Sequence, residues 1–192
     1  MIVIVGESGS GKSTLQDYII EKTNNRYKKV ISYTTRPKRS NEVDDIDYHF
    51  VDEEEFEKRD RASAFVETSV YNNWHYGLCF GDLTDDSIAI LTPHGLREVK
   101  KYIDSFHLLV IYLSVDRGSR LAKLVTTRED IDECIRRNIS DCGMFDGIRD
   151  EVNVILDNRG YRFDTEHLYK KLEDDIKQYE ELCEMDEIDK DW

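Results

Sequence analysis

Eight consecutive residues, Gly6-Glu7-Ser8-Gly9-Ser10-Gly11-Lys12-Ser13, fit the pattern G-x-x-x-x-G-K-[ST]. Each residue type has a reason to be there if the ligand is a polyphosphate. Glycines let the backbone turn tightly enough for its N–H groups to converge on phosphate oxygens. A helix beginning near the lysine adds the positive end of its dipole to that field. Lys12 would reach the β- and γ-phosphates of ATP, and the Ser13 hydroxyl would ligate Mg²⁺. Glu7, Ser8, Gly9, Ser10, Gly11, Lys12, Ser13 and Thr14 are therefore the expected ATP-binding segment. A Gly/Ser turn with an exposed lysine would give the same letters, so the flanks decide. IVIV before the loop reads as a buried strand, and LQDYIIEK after it as a helix, which is the setting the chemistry requires.

A second group of chemistry-bearing residues follows at 32–48. Arg36, Lys38 and Arg39 stand together, with Tyr48 nearby, in a chain that is otherwise acidic. Arginine forks suit bidentate phosphate binding, and a tyrosine hydroxyl can donate one more hydrogen bond. Elsewhere candidates are sparse. Cys79, Cys134, Cys142 and Cys183 form no C-x-x-C pair and show no metal-ligand spacing with the five histidines, which reads as reduced thiols in a cytoplasmic protein.

The elements that must position these groups alternate. Strands are expected at 2–5, 29–35, 87–91, 107–113 and 152–156. Helices are expected at about 94–104, 117–124, 129–141 and 164–184. Strand–helix alternation implies a mostly parallel sheet wrapped by helices. Residues 36–80 break the rhythm with an acidic loop, a charged helix near 52–60 and two aromatic-rich strands, which reads as a small β-rich insertion. The 192 residues amount to about one domain. The longest apolar run, residues 108–113, is six residues, far below the roughly 20 of a membrane span. Met1 leads straight into IVIV, so no secretory signal is expected. A balance of 27 bases and 41 acids, net −14, argues against sequence-independent nucleic-acid or anionic-membrane binding. Much of the excess lies in 164–191, with 12 acids against 4 bases.

In their order along the chain these motifs resemble the guanylate kinase family. GESGSGKST comes first, then SYTTRPKR, then EVDDIDYHFV with Asp45 where the family has glycine. FVE at 65–67 and HYG at 75–77 follow, then REDIDECIRR at 128–137 and VILDN at 154–158. The resemblance implies a P-loop NTPase-type α/β fold with a parallel sheet flanked by helices. The body would comprise about 1–35 and 81–192, the monophosphate-binding insertion about 36–80 and the helical lid about 117–145. It also implies ATP as co-substrate with Mg²⁺, and GMP or dGMP as acceptor. Arg36, Arg39, Tyr48 and Tyr76 would hold the acceptor phosphate, while Glu67 and Ser32 would read the base. Arg128 and one of Arg136 or Arg137 would close over the transferring group; Arg136 lies about two turns beyond Arg128 on a helix. The expected catalytic set is Lys12, Arg36, Arg128 and Arg136.

The resemblance has departures. Leu78 follows Tyr76-Gly77 where the family has a hydroxyl, and SIAIL runs into Thr92-Pro93-His94-Gly95 without the family's acidic pair. Thr92 and His94 are the polar groups left there. Asp116 could either replace the lost acid or cap the next helix. An acceptor other than a guanine nucleotide, or a non-catalytic binding module, are the alternatives these departures leave.

Overall fold

In the computed structural model, which describes residues 1–40, 42–71, 73–101, 108–127, 131–158 and 164–190, the amino-terminal IVIV is strand β1 (Ile2–Val5), buried along its whole length. Its alternate side chains feed two separate cores. Ile2 and Ile4 pack with Leu15, Ile19, Leu168, Leu172 and Ile176 on one face. Val3 and Val5 pack with Leu91, Leu96, Val99 and Ile148 on the other. A strand covered on both faces reads as a continuous apolar run, which is why β1 shows no polar alternation.

Around β1 the sheet has five strands in the order β2-β7-β1-β8-β9, all parallel, with β2 at Lys28–Lys29, β7 at Ser87–Ile90, β8 at Leu109–Ser114 and β9 at Val154–Asp157. Helices α1 (Lys12–Lys22) and α6 (Thr165–Lys190) cover one face, and α3 (Pro93–Val99) the other. The phosphate loop, Thr92, Asp116 and Asn158 all follow the carboxyl ends of these parallel strands, where ligands of open α/β sheets bind.

The remaining strands make a second sheet in the order β4-β3-β6-β5, with β3 at Tyr33–Thr34, β4 at His49–Phe50, β5 at Phe65–Tyr71 and β6 at Trp74–Cys79. One expectation is corrected here: 29–35 is two strands, not one. Val30 N–H still bonds Ile88 C=O in the first sheet at 3.1 Å, while Ser32 C=O already accepts from His49 N–H in the second at 2.9 Å. No glycine, proline or turn residue cluster interrupts Val30 to Thr35, so the sequence carries no mark of the change of partner. The second sheet thus begins before residue 36. Between β4 and β5 lies α2 (Glu53–Arg61), capped by Asp52, whose side chain accepts from Glu55 N–H. Helix α3 also stops at Val99, short of the expected 104, and residues 102–107 lie outside the described set.

Asp45 takes φ 62°, the left-handed region, in the turn before β4. That conformation favours glycine, and aspartate is among the side chains that tolerate it. The backbone therefore needs at this point what the family's glycine supplies.

Candidate active site

Helix α1 starts at Lys12 directly after Gly11, whose φ of 95° turns the chain into the helix. The loop packs closely: a Cβ on Gly6 would lie 2.8 Å from Leu113 O, and one on Gly9 (φ 80°) would lie 2.8 Å from Arg120 O. Lys12 folds across the loop and donates from Nζ to Gly6 O at 2.7 Å and Glu7 O at 3.1 Å. Burial pushes its ammonium down to about 8, against the pull of Asp141 and Glu7. The Ser10 hydroxyl is buried without a hydrogen-bond partner, while Ser13 and Thr14 are exposed on the first turn of α1. The Glu7 carboxylate accepts from the Tyr112 hydroxyl at 3.3 Å and lies 3.7 Å from Arg120.

Arg36 is 6% exposed and engaged by Glu42 through both arms, at 2.9 and 2.6 Å. That bidentate pair holds the Glu42 carboxyl below the ordinary carboxylate range. Arg36 also lies 5.5 Å from the centres of the Tyr48 and Phe50 rings and near enough to Tyr76 for the two groups to interact electrostatically, and the Tyr76 ring is 6.0 Å from that of Tyr48. Arg36, Tyr48 and Tyr76 therefore form one cluster. Arg39 stands at its edge, with 70% of its side chain exposed, its guanidinium 4.0 Å from the Glu42 carboxylate and its N–H donating to Glu42.

Glu67 reaches from β5 to the amino-terminal end of α3. Its carboxylate accepts from the Thr92 hydroxyl and, at 3.3 Å, from Thr92 N–H. A Cβ on Gly95 would lie 2.5 Å from Glu67 Oε2, so only glycine leaves room for the carboxylate. Burial pushes the Glu67 carboxyl up, and the Thr92 hydrogen bonds work against that shift. Leu78 is directly opposite Glu67 on β6 and belongs to the apolar core with Val66 and Leu96. Ser32 sits on the crossing between the sheets, half-buried.

Two helices follow β8: α4 (Arg117–Thr127) and α5 (Ile131–Ser140). Asp116 caps α4, accepting from Ser119 N–H at 2.9 Å and from the Ser119 hydroxyl at 2.7 Å. Arg120 is buried against the phosphate loop, donating to Val115 O at 3.1 Å and Ser8 O at 3.4 Å. On α5, Arg136 is exposed to solvent, whereas Arg137 is half-buried and its charge is felt at both Lys12 and Tyr48. Arg128 lies outside the described residues. His75 packs its ring 5.2 Å from that of Phe56 and takes part in the hairpin.

Residues 1–179 match the family model for guanylate kinase. The chain belongs to the guanylate kinase family. Guanylate kinase of Chlorobium luteolum is 27% identical over 165 residues, which span 82% of this chain and 83% of the relative. That of Mycoplasma genitalium is 44% identical over 140 residues, or 69% of this chain and 58% of its own length. A crystal structure of guanylate kinase from Anaplasma phagocytophilum superposes with a TM-score of 0.60 at 18% identity, covering 93% of this chain and 84% of that one, and shows the shared fold. As a member of that family the chain is a nucleoside monophosphate kinase. Sequence reasoning missed Asp141 and gave no role to Glu42, although it heads the EVDDIDYHFV motif six residues from Arg36. Arg120 and Asp141 meet Ser8 of the loop from more than 100 residues away, and no local pattern carries that information.

Proposed function

We propose that this chain moves the γ-phosphoryl group of ATP to GMP or dGMP. The observation that supports it most is the loop that turns at Gly11 into α1 with Lys12 folded across it, together with a second basic cluster in which the Arg36 guanidinium lies 5.5 Å from the Tyr48 ring. Donor phosphates would sit at the first and the acceptor phosphate at the second. Phosphoryl transfer needs little covalent chemistry from a protein; it needs two polyanions brought in line with their charge offset.

In this reading the backbone of residues 7–14 and Lys12 hold the ATP phosphates. Arg36, Tyr48 and Tyr76 hold the acceptor phosphate, with Arg39, paired to Glu42 at 4.0 Å, at the edge of the cluster. Glu67 accepts from the ring N–H and exocyclic amine of guanine, with Thr92 as its polar neighbour and Ser32 nearby. Arg137, rather than the outward-facing Arg136, takes the lid role beside Arg128. Mg²⁺ typically keeps several waters and takes one or two protein oxygens plus phosphate oxygens. The exposed Ser13 hydroxyl fits that demand, and among the described residues no cluster of three or more His, Cys, Asp or Glu offers a competing cage. When bound, the ion would neutralise charge on the transferring phosphates.

No helix among the described residues is long and apolar enough to cross a membrane, and all four cysteines are free thiols. A cytoplasmic location with small nucleotides as partners is part of the same proposal, which membership of the guanylate kinase family supports. An ADP-release assay with Mg·ATP against GMP, dGMP, AMP, CMP, UMP and dTMP tests the acceptor. Turnover on GMP or dGMP alone is expected; preference for another base would refute the Glu67 assignment.

A further inference from the structure

The loop that would cradle phosphate already holds an anion. Asp141 follows the last residue of α5, and its Oδ2 accepts from the Ser8 backbone N–H at 2.8 Å. Its Oδ1 accepts from the Ser8 hydroxyl at 3.4 Å, and the carboxylate lies 3.7 Å from Arg120. Among the charges around Lys12, Asp141 acts most strongly on its ammonium. An acid at the carboxyl end of a helix is disfavoured by the helix dipole. Local structure therefore gives no reason for Asp141, and the tertiary contacts with Ser8 and Arg120 do.

The surroundings also offer the carboxylate another place to go. A cavity of about 240 Å³ opens beside it, lined by Glu7, Arg117, Arg120 and Asn138 among others. Asn138 is 4% exposed, and its Nδ2 has no hydrogen-bond partner, although its Oδ1 accepts from Arg117 at 2.9 Å. A buried donor left unpaired is costly, and a displaced carboxylate would satisfy it.

We propose that Asp141 is a latch: it occupies the phosphate loop of the nucleotide-free protein and is expelled toward Asn138 when the phosphates of ATP arrive. The inference rests on the proposed ATP role of the loop. Asp141 N–H bonds Arg137 C=O at 3.0 Å, so the two residues share a helical turn. Release of the carboxylate thereby lets donor-site occupancy reposition Arg137, whose charge is felt at Lys12 and Tyr48.

The test measures binding of inorganic pyrophosphate, and separately of ATP, by calorimetry without an acceptor, in wild type, Asp141→Asn and Asp141→Ser. Removing the carboxylate that the anion must displace from Ser8 should lower both dissociation constants by about tenfold. Unchanged or weaker binding in folded variants overturns the latch. A measurement on the wild type stands independently of variant folding. The Ser8 amide and the Asp141 carboxyl carbon should shift together in NMR spectra as pyrophosphate is added. An unmoved carboxyl resonance at saturation also overturns the latch. Wild-type protein that binds neither pyrophosphate nor ATP would overturn the phosphate-loop reading and the latch with it, whereas normal wild-type binding with unaltered variants removes the latch alone.

Discussion

Above pH 8 the affinity for ATP should fall in step with the protons leaving Lys12. Burial in the loop lowers that ammonium from 10.5 to about 8, with Asp141 and Glu7 opposing the shift and Arg137 and Arg120 adding to it. Only the charged form can pair with the phosphates, so the apparent dissociation constant scales inversely with the charged fraction. With a midpoint near 8 that fraction falls from about nine-tenths at pH 7 to about one-tenth at pH 9, a loss of about tenfold in affinity. A solvated lysine would give a flat line over the same range. Calorimetric titration with Mg·ATP at intervals from pH 7 to 9.5 reads this directly. Lys12→Arg should abolish the slope, because guanidinium holds its proton throughout. The stability side has a definite sign. A folded value below the unfolded one means the charged lysine opposes folding below pH 8, and the penalty fades as pH rises from 8 toward 10.5. Lys12→Met should therefore stabilise the empty protein at pH 7, by at most about 3 kcal/mol, while abolishing turnover. A binding curve flat from pH 7 to 9.5, or a slope that survives in Lys12→Arg, would refute the burial argument.

Further outcomes are expected at the acceptor side and in the loop. Glu67→Gln keeps the shape but loses an acceptor for one guanine N–H, so the KM for GMP should rise by roughly 10- to 100-fold while that for ATP is unchanged; equal losses for both would contradict the assignment. Glu42→Gln removes the ion pair that fixes Arg36 and should cost about 1–3 kcal/mol in chemical denaturation, with a larger effect on the acceptor KM than on the ATP KM. In the wild type that pair's contribution is present above the ordinary carboxylate range. It is lost as pH falls through the lowered Glu42 value, so denaturation midpoints should drop on acidification more in wild type than in Glu42→Gln. Gly9→Ala places a Cβ at φ 80° and 2.8 Å from Arg120 O, and should lower the thermal midpoint and weaken ATP binding together.

The phosphate loop was legible in the sequence because its chemistry is local. Backbone N–H groups converge only where glycines and the start of a helix are contiguous, and the eight residues state both. The Arg36–Tyr48 cluster was nearly as legible, since its members are separated by one short loop and two strands of one small sheet. The α/β class followed from apolar runs buried on both faces, which IVIV and LLVIYL display without any partner being known. Asp45 was readable as a departure from glycine, and the left-handed turn shows the backbone demand that both residues meet.

Other features became visible only when distant segments met. The run at 29–35 carries no mark of its change of sheet, because Ile88 and His49 compete for it from different parts of the chain. The family resemblance singles out Glu67 as a base reader, but its surroundings are not written in the sequence. Only the approach of Thr92 and the missing Cβ of Gly95 make it a half-buried acceptor. Arg136 and Arg137 are equivalent in composition, and the rotation of α5 about its axis turns one to solvent and the other to Lys12. Asp141 is one acid among 41 in the chain. Its place on Ser8 depends on the packing of α4 and α5 against the phosphate loop, and a carboxylate's chemistry is set by the donors that packing brings within 3 Å of it.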